Sequence, residues 1–108
     1  MVDPKQYTYR VVWSQEDGEF VGLCAEFPSL SWLAATQTEA LEGVVALVAE
    51  IASEMAGNSE PVPEPLSART FSGKFQVRLP PQQHRRLAIK AAEEGVSLNR
   101  LVSSMLNA

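Results

Sequence analysis

The chain is poor in the residues from which most active sites are made. Its 108 residues include one cysteine, Cys24, and one histidine, His84. A lone cysteine excludes an intrachain disulfide framework and any cluster of thiolate metal ligands. A lone histidine leaves a zinc site or a Ser–His–Asp triad to be built around His84 alone. That residue sits between Gln83 and Arg85 and reads as facing solvent or a phosphate. No apolar run approaches the roughly 18 residues that a membrane span needs. Met1 to Tyr9 has no apolar signal core, so the expected location is the cytoplasm. Basic residues are nearly missing from the first part of the chain: residues 1–66 hold only Lys5 and Arg10 against eleven acids, a net −9.

What is present is sharply divided. Residues 67–108 carry seven basic side chains and two acids, a net +5, which with the first part gives the overall −4. Opposite signs on the two parts suggest partners of opposite charge. Between them lies Gly57-Asn58-Ser59-Glu60-Pro61-Val62-Pro63-Glu64-Pro65, whose alternate prolines favour extended backbone and forbid a helix. The division is therefore a domain at 1–58, a Pro-rich linker at 59–71 and a second domain at 72–108.

The first domain reads as three strands and a helix. Tyr7, Tyr9, Val11 and Trp13 alternate with polar or smaller residues, a period of two. Gln15-Glu16-Asp17-Gly18 is a hairpin turn. Glu19 to Ala25 returns as a second strand, Pro28 breaks it, and Leu30 to Ala35 forms a shorter third. Thr36 and Glu39 have the spacing of a capping box, each side chain accepting from the other residue's backbone N–H. The following helix carries an apolar stripe of Leu41, Val44, Val45, Val48, Ile51, Ala52 and Met55, and Gly57-Asn58 ends it.

The second domain reads as strand, helix, tight turn, helix. Phe75, Val77 and Leu79 alternate with Lys74, Gln76 and Arg78. Pro80-Pro81 stops the strand and opens a helix that runs to Glu94. Gly95 suits the C′ position, and Ser97 caps a second helix with a stripe of Leu98, Leu101, Val102 and Met105. About 36 residues cannot bury a lone strand and two helices against backbone entropy. Two copies with antiparallel paired strands solve this. Phe75, Val77, Leu79, Leu87, Leu98, Leu101 and Val102 would then form a shared dimer core. Lys74, Gln76 and Arg78 would project from the opposite face of a two-stranded ribbon that fits the major groove of DNA. There Arg and Lys donate to guanine and Gln bonds adenine. Backbone N–H groups at Ser97, Leu98 and Asn99 suit a phosphate. The fold class is thus α+β.

Gly73 to Pro80, His84 to Ala88 and Glu94 to Val102 resemble the ribbon-helix-helix domain of the HicB family of antitoxins. Phe20 to Pro28 and Thr36 to Glu42 are similar to that family's N-terminal domain. The resemblance implies a partial ribonuclease-H-like first domain without that enzyme's catalysis. It also implies an antitoxin of a type II toxin–antitoxin pair that covers a small basic HicA-like mRNA-cleaving toxin and represses its own operon. By the same resemblance, Lys74, Gln76 and Arg78 are the base readers, and Ser97 and Asn99 belong to the phosphate clamp. Glu16, Asp17, Glu19, Glu26 and Trp32 are candidates for touching the toxin. Ser29 to Ala34 departs from the family's polar, glycine-containing turn, which leaves Trp32 open as either core or exposed anchor.

The partners expected are operator DNA, a HicA-like toxin and a second copy, as a dimer or a tetramer, with no membrane. The alternative is a stand-alone ribbon-helix-helix regulator without a toxin. A nuclease is disfavoured because Asp17, Glu19 and Glu26 fall at a turn and a strand end rather than converging as a two-metal site requires. No catalytic residue, metal or cofactor is assigned. Cys24, in an alternating strand, reads as a small core residue.

Overall fold

Tyr9–Ser14 (β1), Glu19–Cys24 (β2) and Ser31–Ala34 (β3) form an antiparallel sheet in the order β1-β2-β3. The structure is a computed structural model that describes residues 2–107. The register sets Tyr9 opposite Cys24, Val11 opposite Gly22 and Trp13 opposite Phe20, and it sets Gly22 opposite Trp32 on the other side. Side chains alternate along a strand, so these residues share one face. Helix α1, Gln37–Gly57, packs on all three strands.

Two glycines set how closely that helix approaches. A Cβ on Gly22 would collide with the carbonyl oxygen of Ala40 and with the Val44 side chain. A Cβ on Gly43 would run into the indole of Trp32. The close approach makes Ala40, Val44, Val48 and Ala52 the buried line of α1, one residue every four. Leu41, expected in the stripe, is instead 42% exposed, because it lies about 100° further round the helix than Ala40. Tyr7, Cys24 and Phe27 complete the core, with the Tyr7 and Phe27 rings edge to face at 5.1 Å.

The ends of α1 follow local chemistry with one departure from expectation, at the capping box. Thr36 Oγ1 accepts from Glu39 N–H at 3.2 Å, but it also donates its proton to the Glu39 carboxylate at 3.1 Å. The carboxylate therefore takes the hydroxyl rather than the Thr36 backbone N–H. At the other end the helix stops at Gly57 with Asn58 as its cap, as expected, and the left-handed residue that follows is Ser59, with φ 59°. Glu60 N–H reaches Met55 O and Ser59 N–H reaches Ala56 O, the paired bonds of a Schellman motif.

The segment read as a linker is held against the sheet end of this unit. Val62 packs on the core and Pro65 is buried. Tyr7 donates its hydroxyl to Pro63 O at 2.7 Å, Leu66 N–H donates to the Glu26 carboxylate at 2.9 Å, and Ser67 donates to Gln6 O at 2.6 Å. The chain divides into two compact units between Phe71 and Ser72. The second unit consists of a segment without regular structure, then α2, Pro81–Glu94, and α3, Leu98–Leu106. No helix among the described residues is long and apolar enough to cross a membrane.

Candidate nucleic-acid interface

The second unit is built by its punctuation. Proline at the first position of α2 needs no N–H partner, and Gln83 and His84 N–H groups close the first turn on Pro80 O. Gly95 takes the left-handed conformation at φ 68°, ψ 28°. Val96 N–H then bonds Ala91 O and Gly95 N–H bonds Ala92 O, a second Schellman motif. Two residues later Ser97 Oγ accepts from Arg100 N–H at 3.1 Å and starts α3. The turn brings Ala91 of α2 and Leu101 of α3 into burial, with Leu87, Leu98 and Val102 half-buried around them.

The segment before α2 differs from expectation. Residues 73–79 form no hydrogen-bonded strand in the chain. A strand exists through its ladder, and a single copy offers this segment nothing to pair with. Phe75, Val77 and Leu79 are 77%, 61% and 38% exposed. Lys74, Gln76 and Arg78 are exposed as well. Gly73 turns the backbone at φ 83°, where Ser72 Oγ accepts from Lys74 N–H. Ile89 and Leu106, outside the set drawn from sequence, are also exposed apolar residues of this unit. Leu106 was legible, since it lies one turn beyond Val102 on the stripe. Arg85, Arg86 and Lys90 on α2 are exposed cations that the strand-centred reading passed over.

At the start of α3 the first N–H groups lack intrahelical acceptors by construction. The Ser97 side chain takes that of Arg100, and the N–H groups of Leu98 and Asn99 precede it in the same turn.

Residues 57–106 match the model of the HicB family. This stretch, just under half of the chain, is thus similar to the HicB family. No curated protein and no solved structure matches the chain. The HicB match takes in the docked segment, both helices of the second unit and the exposed segment between, and it leaves the sheet and nearly all of α1 outside. It suggests a role related to toxin–antitoxin systems and a toxin partner in general terms.

The acidic candidates of the first unit occupy two kinds of place. Glu16 is exposed on the β1–β2 turn, and Glu19 is half-buried at the start of β2. Asp17 accepts from the Ser14 hydroxyl at 2.8 Å within that turn. Glu26 is committed to internal donors: Thr8 N–H at 2.9 Å, the Thr8 hydroxyl at 3.2 Å and Leu66 N–H. Desolvation pushes its carboxyl up, but the hydrogen bonds from Leu66 and Thr8 outweigh it and hold the group below the usual carboxylate range. Burial raises the Cys24 thiol, with the Glu26 charge adding to it. The Tyr9 hydroxyl, bonded to Pro4 O at 2.7 Å, is pushed up to about 12, mainly by burial and then by Cys24 and Glu26. Trp32 lies over Gly43 and is still 44% exposed, so it is both packed and available. Among the described residues, no group of three or more His, Cys, Asp or Glu side chains is placed to hold a metal ion.

Proposed function

We propose that this chain is a HicB-type antitoxin. Its second unit pairs with that of another copy through residues 73–79, and the resulting ribbon binds the operator of its own operon. Its first unit covers a small basic HicA-like toxin. The observation that carries the reading is the row Phe75, Val77 and Leu79, apolar yet exposed in a single chain, directly before two helices joined by a Gly95 turn and a Ser97 cap. Apolar residues at alternate positions, unpaired, are half of a ribbon. Pairing buries that row and turns Lys74, Gln76 and Arg78 outward together, as base reading in a major groove requires. Leu98 and Asn99 N–H groups at the start of α3 supply the phosphate contact. The net −9 of residues 1–66 suits a partner that must itself be basic to hold RNA. Glu16 and Trp32 are the exposed contacts this surface offers most freely, with Asp17 exposed but bonded to Ser14 and Glu19 half-buried.

The test is gel shift and sedimentation with DNA from upstream of the chain's own gene. Arg78→Ala is expected to lose at least tenfold in operator affinity, in line with about 1–3 kcal/mol for a bidentate base contact, while its mass stays that of wild type. Wild-type affinity in that variant would sink the ribbon reading. A second reading, a stand-alone regulator, is favoured by one observation: the family match leaves the sheet and nearly all of α1 uncovered. Co-expression with the neighbouring gene separates the two, since an antitoxin rescues growth and co-purifies with a basic protein in equal amount.

A further inference from the structure

We propose that a groove between the N-terminal 3-10 turn, Pro4–Gln6, and α1 seats a basic amphipathic segment of the partner protein. The inference rests on the covering role proposed for the first unit and gives that role a place. The turn is fastened at each of its residues. Asp3 caps it by accepting from Lys5 N–H at 2.9 Å, the Tyr9 hydroxyl donates to Pro4 O at 2.7 Å, and Ser67 donates to Gln6 O. So held, the turn packs on α1. Pro4 and Lys5 line one side of the groove, and Leu41, Val45, Ala46 and Ala49 line the other, around a volume of about 530 Å³. Leu41, Val45 and Ala49 recur every four residues and so form one ridge of the helix. Leu41 is the large apolar residue of α1 that stays exposed, and it lies in this groove.

The charge of the rim selects the occupant. Helix α1 carries Glu39, Glu42, Glu50 and Glu54, all exposed, and no lysine, arginine or histidine. Glu42 lines the groove on the helix side and Asp3 on the side of the turn, and Lys5 is the one cation among the lining residues. A second copy would bring its own first unit, −9 over residues 1–66, against this rim. Nucleic acid and anionic lipid would be repelled in the same way. The floor offers methyl and methylene groups with no side-chain donor or acceptor, so it cannot orient a small polar ligand. A segment with apolar side chains toward Leu41 and Val45, and lysine or arginine toward Glu42, satisfies both floor and rim. A toxin that holds RNA has such cations to offer.

The test titrates the full chain against the basic protein encoded by the neighbouring gene, by biolayer interferometry. Glu42, Ala46 and Glu54 are all exposed on α1, so replacing them leaves the core alone. Glu42→Arg and Ala46→Arg are each expected to raise the Kd about tenfold or more, because each sets a cation against the partner's own. Glu54→Arg changes the net charge as much as Glu42→Arg does, but it lies about 18 Å further along the helix. Its Kd is expected to stay within about threefold of wild type. Wild-type affinity in Ala46→Arg, or equal losses in Glu42→Arg and Glu54→Arg, overturns the groove and leaves the covering role standing. A wild-type chain that binds no such protein ends the covering role itself, and the groove with it. If Ala46→Arg changes the mass of the chain alone, a second copy fills the groove and the proposal is equally overturned.

Discussion

At the scale of single residues, Glu26 ties two distant parts of the first unit together. Its carboxylate joins the start of β1, through Thr8, to a segment forty residues on, through Leu66. The folded-state pKa is lowered, so the stabilisation is complete above the unfolded value near 4.5 and disappears as pH falls through the folded one. Glu26→Gln is expected to cost about 1–3 kcal/mol at neutral pH and to flatten the stability profile between about pH 5 and the folded pKa. Urea unfolding followed by tryptophan fluorescence reads this directly, because Trp13 and Trp32 both belong to the first unit. A variant with the wild-type pH profile would show that Glu26 carries no such linkage. The residue also shows where sequence reading stops. An acid after a strand looks like surface charge, and nothing in the neighbouring residues announces an acceptor for Leu66.

At the scale of elements, the helix ends were legible and the helix faces less so. Thr36, Gly95 and Ser97 act within one turn of their own position, so residue type and spacing suffice to place them. The buried line of α1 depends instead on Gly22, in a different element, whose missing side chain draws the helix in at Ala40. That is why Ala40 is buried where Leu41 was expected. Gly22→Ala should therefore destabilise the first unit by about 1–3 kcal/mol, the usual cost of overpacking a filled site. Ser59 offers the opposite change. It holds φ 59° without being glycine, and Ser59→Gly is expected to stabilise by about 1 kcal/mol through relief of the left-handed backbone. Thermal melts of the two variants should move in opposite directions.

At the scale of the whole molecule, two units with opposite charge were legible from the sequence, while the attachment of residues 59–71 to the first of them required tertiary contacts. Residues 59–71 read as a spacer, but Tyr7 and Glu26 fasten that stretch to the first unit, which runs to Phe71. The strand at 73–79 was drawn from alternation alone. The single chain gives it no ladder, and the proposed pairing with a second copy is what would supply one. Phe75→Asp is expected to abolish that pairing, halving the mass seen by light scattering, because it would bury two charges in the shared core. An unchanged mass would remove the ribbon from the account.

The same unladdered stretch bears on how long a molecule survives. A protease needs several residues of backbone free of helix and sheet, and residues 72–80 provide them, with trypsin-sensitive bonds after Lys74 and Arg78. One cut there separates an acidic fragment from a basic one. If a second copy pairs along this stretch as proposed, trypsin digestion of the full chain is expected to slow as protein concentration rises.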